Sequence, residues 1–139
     1  MLRVKSSYSF FIFFFLPVFI TAQVTFQKTF GTGSSSNDAY DVVETTNGEY
    51  VTTGICNYGS GGGSDVFLLK TGCGGDIVWS KSYGGAQSDQ AFALCKTFDG
   101  GFAVTGTTAS YGNGKEYILF IKTDSTGNLQ WFKTFGTVD

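Results

Sequence analysis

One segment is written three times in this chain of 139 residues: FQKTFG at 26–31, WSKSYG at 79–84 and WFKTFG at 131–136. Between these copies, AYDVVETTNGEYVTTG (39–54) matches AFALCKTFDGGFAVTG (91–106), and DVFLLKT (65–71) matches YILFIKT (117–123), both at an offset of 52. The first copy of the short segment is offset by 53, so one residue is inserted or lost before Ala39. A fixed period near 40–50 residues restricts a chain to stacked copies of one supersecondary unit. The pattern divides the chain into a repeat at 23–78, a repeat at 79–130 and the start of a third at 131–139.

Each repeat reads as four short strands. The opening segment alternates aromatic–x–Lys–x–aromatic, as in Trp79, Lys81 and Tyr83, the period-2 pattern of a strand with unlike faces. The next two strands flank Asp99-Gly100, or Asn47-Gly48 in the first copy, dipeptides that favour a tight antiparallel hairpin. The fourth is an unalternating apolar run, Val66–Leu69 or Ile118–Ile121, expected to be buried on both faces. No helical periodicity follows residue 22. Four antiparallel strands per unit, apolar on both sides, is the sequence form of a β-propeller blade. The expected fold is all-β: two tandem four-stranded antiparallel blades plus the first strand of a third, behind a signal peptide.

That signal peptide is read from residues 1–22. Arg3 and Lys5 precede the apolar run FFIFFFLPVFI (10–20), and Ala22 supplies a small residue for a cut before Gln23. The run falls short of the roughly 20 residues of a membrane span; an uncleaved anchor is the alternative reading. Of nine basic residues two leave with the signal, so seven scattered lysines face eleven acidic residues, a net of −4. Nucleic-acid binding needs clustered cations, so neither nucleic acid nor, after cleavage, membrane is an expected partner. The expected location is secreted or cell-surface. Cys56, Cys73 and Cys95 form an odd set without a CxxC pair, which leaves at least one thiol over and any single bridge open. The chain has no His, which argues against zinc and removes Ser-His-Asp and Cys-His catalysis.

The remaining chemistry is sparse. Asp124, Gly127 and Asn128 resemble a calcium loop only loosely, and a turn explains them; in the first copy Gly72 replaces the Asp. The glycines at 59–63 lack the Lys and the helix of a phosphate loop. Asp38, Asp41, Asp89 and Asp99 come nearest to paired carboxylates, but Asp99 belongs to its turn, and Asp38 and Asp89 read as repeat-equivalent. No catalytic, cofactor or metal residue is assigned, and no cofactor is expected. Tyr58 and Tyr111, in equivalent Gly-rich loops, are candidate contacts for a glycan or protein ligand at the loop face, or else cover their own loops.

The spaced set Asp89-x-Ala91, Asp99-Gly100-Gly101-Phe102, Val104-Thr105-Gly106, Lys122-Thr123-Asp124 and Gly127-Asn128-x-x-Trp131 resembles the secreted bacterial and archaeal β-propeller repeats. These recur in exported proteins of Bacteroidetes-type bacteria, so the resemblance implies type IX export and a non-catalytic scaffold or adhesin-like role. The stretch 124–131 is also similar to the tryptophan-docking motif of quinoprotein propellers. That likeness implies a structural peg role for Trp79 and Trp131, with Gly127 in the turn. Two blades cannot close a propeller. The expected partners are therefore further blades of a longer protein, of which this would be the N-terminal piece, or other copies of the same chain in a ring. The alternative function is the propeller portion of an exported hydrolase whose catalytic domain lies beyond residue 139.

Overall fold

The computed structural model of the protein describes residues 27–31, 36–57, 63–113 and 115–136. The expected signal peptide, Tyr58 and most of the glycine run at 59–63 lie outside the described residues. Strands β1 (Asn37–Glu44), β2 (Tyr50–Cys56), β3 (Asp65–Thr71) and β4 (Ile77–Tyr83) form one antiparallel sheet in chain order. Strands β5 (Asp89–Lys96), β6 (Phe102–Thr108), β7 (Tyr117–Thr123) and β8 (Leu129–Phe135) form a second of the same order. Among the described residues there is no helix, and so none long and apolar enough to cross a membrane. The pairing register of the second sheet repeats that of the first at an offset of 52, bulges at Ala39/Asp41 and Ala91/Ala93 included.

The β1–β2 and β5–β6 hairpins form as expected, with a different turn. Gly48 N–H donates to the Thr45 carbonyl (3.1 Å) and Thr45 N–H to that of Glu49 (2.7 Å), and residues 97–101 repeat the arrangement. Only Gly48 (φ 72°) and Gly100 (φ 82°) are left-handed there. A two-residue Asn-Gly turn would need positive φ at Asn47 as well. The closing loops are accordingly longer than two residues.

The phase of the repeat differs from the expected one. WSKSYG and WFKTFG do not open units: they form β4 and β8, the last strands of their sheets. Trp131 and Phe132 thus pair with Lys122 and Ile121 of β7, and the expected first strand of a third unit is the fourth strand of the second. The first copy forms no strand over its described residues 27–31. The cause lies in the turns at 72–76 and 124–128. Gly75 (φ 76°) and Gly127 (φ 77°) let the chain reverse at once, Gly127 N–H donating to the Asp124 carbonyl (3.2 Å). The aromatic strand therefore folds back on the apolar strand before it, and the chain crosses between sheets at 84–88.

The two sheets pack face to face through unlike faces. The core joins Val51, Val66 and Leu68 of the first sheet to Ala91, Leu94, Phe102, Val104, Leu119 and Ile121 of the second. The repeat counterparts of Val66 and Leu68 are Ile118 and Phe120, which are 55% and 38% exposed. Those of Leu94 and Phe102 are Val42 and Tyr50, 55% and 39% exposed. What one sheet buries, its twin leaves open. The apolar strands β3 and β7 are therefore not buried on both faces as expected; each is buried on one, and on opposite ones. Residues Phe30 and Gly31 line a cleft of about 650 Å³ on the open side of the first sheet, beside Phe67, Leu69 and Ile77. No disulfide forms: Cys56 is buried at the end of β2, and the Cys73 and Cys95 thiols are exposed.

Candidate functional site at the seam between the sheets

Chemistry and packing meet where β4 crosses the second sheet. Period-2 alternation points Trp79, Lys81 and Tyr83 the same way. The Trp79 ring meets Phe102 edge-on, centroids 6.2 Å apart at 62°, and packs on the core. A Cβ on Gly127 would stand 2.8 Å from Trp79 Cζ3, so the left-handed glycine of the β7–β8 turn also makes room for the indole. Tyr83 adds a polar tie: its hydroxyl donates to the Gly127 carbonyl at 2.5 Å. Burial first, and then the charge of Asp124, push the Tyr83 phenol well above its ordinary value of 10.0. Beside this joint lies a cleft of about 410 Å³ bounded by Lys81, Tyr83, Tyr111, Leu119, Ile121 and Phe132.

Trp79 and Gly127 are thus brought together, 48 positions apart in the chain. Trp131 is not brought to a corresponding glycine. It is 44% exposed on the outer strand, with the Lys133 ammonium 5.7 Å from its ring centroid. Tyr111 lies at the other end of the seam. Its hydroxyl donates to the Gly84 carbonyl (2.7 Å), and its ring tilts against Phe132 at 4.7 Å. Its hydroxyl is thus engaged within the chain, although the residue is 36% exposed.

The carboxylates sort into three situations. Asp99 accepts from the Lys122 ammonium (2.8 Å), Thr97 Oγ1 and Gly101 N–H, bonds that hold its carboxyl far below the usual range. Asp124 accepts from Asn128 N–H (2.8 Å), Thr126 Oγ1 (2.8 Å), Asn128 Nδ2 (3.0 Å) and Thr126 N–H (2.8 Å), and is lowered to about 2. Both are turn acids. Asp41 reaches across the seam, taking the Leu94 N–H at 2.7 Å as well as the N–H of its neighbour Val42.

The third situation is a buried pair. Asp65 and Asp89 open β3 and β5, and are 8% and 0% exposed. Gly84 lies between them: a Cβ there would overlap Asp65 Oδ1 and stand 2.8 Å from Asp89 Oδ2. Asp89 Oδ2 accepts from Gly85 N–H (2.9 Å) and Ser110 Oγ (2.6 Å), and its backbone N–H donates to the Ser64 carbonyl (2.6 Å). Asp65 Oδ1 and Asp89 Oδ1 are buried without a hydrogen-bond partner. Burial, followed by the charge of Asp89, raises the Asp65 carboxyl above its ordinary 3.8. Ser64 and Ser88 close the seam alongside, hydroxyl to hydroxyl at 2.7 Å.

Sequence reasoning missed Asp65, and it matched Asp89 with Asp38, whereas the pairing register makes Asn37 the counterpart of Asp89. The available signal was a lone acid at the head of an apolar strand. Compared with known proteins, the chain matches no protein-family model and no curated sequence.

Proposed function

We propose that this chain is a non-catalytic repeat module of an exported or cell-surface protein, each sheet a blade of a β-propeller that further sheets complete, with a scaffold or adhesin-like role. The observation that carries the reading is the packing of unlike faces. An interface built that way is heterologous, so it leaves one free copy of each face at the two ends, and such contacts propagate into a ring or a filament. A two-sheet sandwich built for itself would bury equivalent faces against each other and leave neither type repeated outside. Exposed Ile118, Phe120, Trp131 and Phe135 on one end, with Val42 and Tyr50 on the other, form the kind of apolar surface that marks association. The turn-bound state of Asp99 and Asp124 supports a structural rather than catalytic use of the acids.

Light scattering over a micromolar to sub-millimolar series tests the reading. The purified chain is expected to self-associate with rising concentration. Ile118→Lys with Phe120→Lys, which places two charges on the open face and none in the core, is expected to return it to monomer. A wild-type monomer across the whole series would overturn the proposal.

A further inference from the structure

The structure assigns a second role to the seam: we propose that Asp65 and Asp89 form a binding site for a hard divalent cation of the calcium class, bridging the two sheets. Two carboxylates face each other across the Gly84 Cα, both more than nine-tenths buried. Each keeps one buried oxygen without a hydrogen-bond partner. Among the described residues neither takes part in an ion pair, and the hydrogen-bond donors to Asp89 are a neutral amide and a hydroxyl. Burying like charges with unsatisfied oxygens is costly, and proteins resolve it with a proton or a cation. The surroundings supply oxygen: Ser110 Oγ bonds Asp89, and Ser64 and Ser88, whose hydroxyls bond each other, directly precede Asp65 and Asp89 in the chain. Calcium accepts six to eight such oxygens, water among them, in irregular geometry.

The position gives the site a purpose. Asp65 heads a strand of the first sheet and Asp89 a strand of the second, so a cation held by both would clamp one sheet to the next. Because the site lies within a single chain, it does not depend on whether further sheets stack.

The probe is calcium itself, added to chelator-stripped protein at constant ionic strength. The melting temperature is expected to rise by several degrees in millimolar calcium, since a ligand that binds only the folded state stabilises it by mass action. Asp65→Asn keeps the shape and removes one charge. It is expected to abolish the calcium response while melting higher than the calcium-free parent, which also shows that the variant folds. Terbium, a calcium substitute, should give emission sensitised through Tyr111 in the parent and none in Asp65→Asn. A parent insensitive to both ions would overturn the site. In that case a proton on Asp65 relieves the pair: with the Asp65 carboxyl raised, its neutral form favours folding, so stability would rise as the pH falls through the range just above 3.8, with or without calcium.

Discussion

Gly106→Ala is expected to unfold the protein, or to cost more than about 4 kcal/mol, the range reached only by a few mechanisms. Gly106 lies in the middle of β6, opposite the bulge at Ala91/Ala93. The extra residue in β5 pushes the Gln90 carbonyl onto the Gly106 Cα, and a methyl group there would overlap that oxygen and lie 2.8 Å from its carbon. The obstacle is backbone of β5, tied into its ladder with β6, so no side-chain rotation relieves it. Gly54 stands in the same place in the first sheet, against the Asp38 carbonyl, and Gly54→Ala should be as damaging. Gly100→Ala is the control. A Cβ at Gly100 meets nothing within 4 Å, and only the positive φ is paid for, about 1–2 kcal/mol. Urea unfolding monitored by circular dichroism separates the cases; equal losses at positions 100 and 106 would contradict the close approach.

Leu68→Ala and Phe120→Ala occupy the same place in the repeat and should differ sharply. Leu68 is fully buried between the sheets, and truncating such a side chain leaves a cavity that costs about 2–5 kcal/mol. Phe120, on the open face of the second sheet, is 38% exposed and should cost under about 1 kcal/mol in the monomer despite its larger side chain. The difference should narrow at protein concentrations where copies associate, because the open face is then covered. Equal costs in dilute solution would mean that the two faces are not used in opposite ways.

The repeat made the architecture legible, because identical spacing in two stretches of one chain must give identical sheets. The hairpin turns were readable from Asn47-Gly48 and Asp99-Gly100, although their length was not, since only the glycine takes the left-handed backbone. The phase was ambiguous for a physical reason. A periodic string fixes the length of the unit and not its ends, and the aromatic strand can pair with the strand before or after it. The glycines of the turns at 72–76 and 124–128 decide for the strand before. Burial on one face rather than two was hidden because Phe67 and Leu68 are equally apolar. Only the packing shows that β3 turns Leu68 inward and that β7 turns Leu119 inward instead. Of the seam, Trp79 and Gly127 were readable from the motif and Tyr111 from its loop, whereas Trp131 lies on the open outer strand. The Asp65–Asp89 pair was not: its members are 24 positions apart, in different sheets, and lack the spacing of any local motif.

If each sheet is one unit of a stack, the open face of the second sheet is a vacant copy of the interface already inside the molecule. Appending a further copy of residues 85–136 after Gly136 tests it most directly. In stacked repeats each added unit contributes its own stability and that of a new interface. The longer chain should therefore unfold at a higher urea midpoint with a larger m-value, which scales with the surface exposed. The emission of Trp131, then covered as Trp79 is, should move to the blue. An unchanged midpoint together with an unshifted Trp131 spectrum would show that the sheets do not stack through these faces.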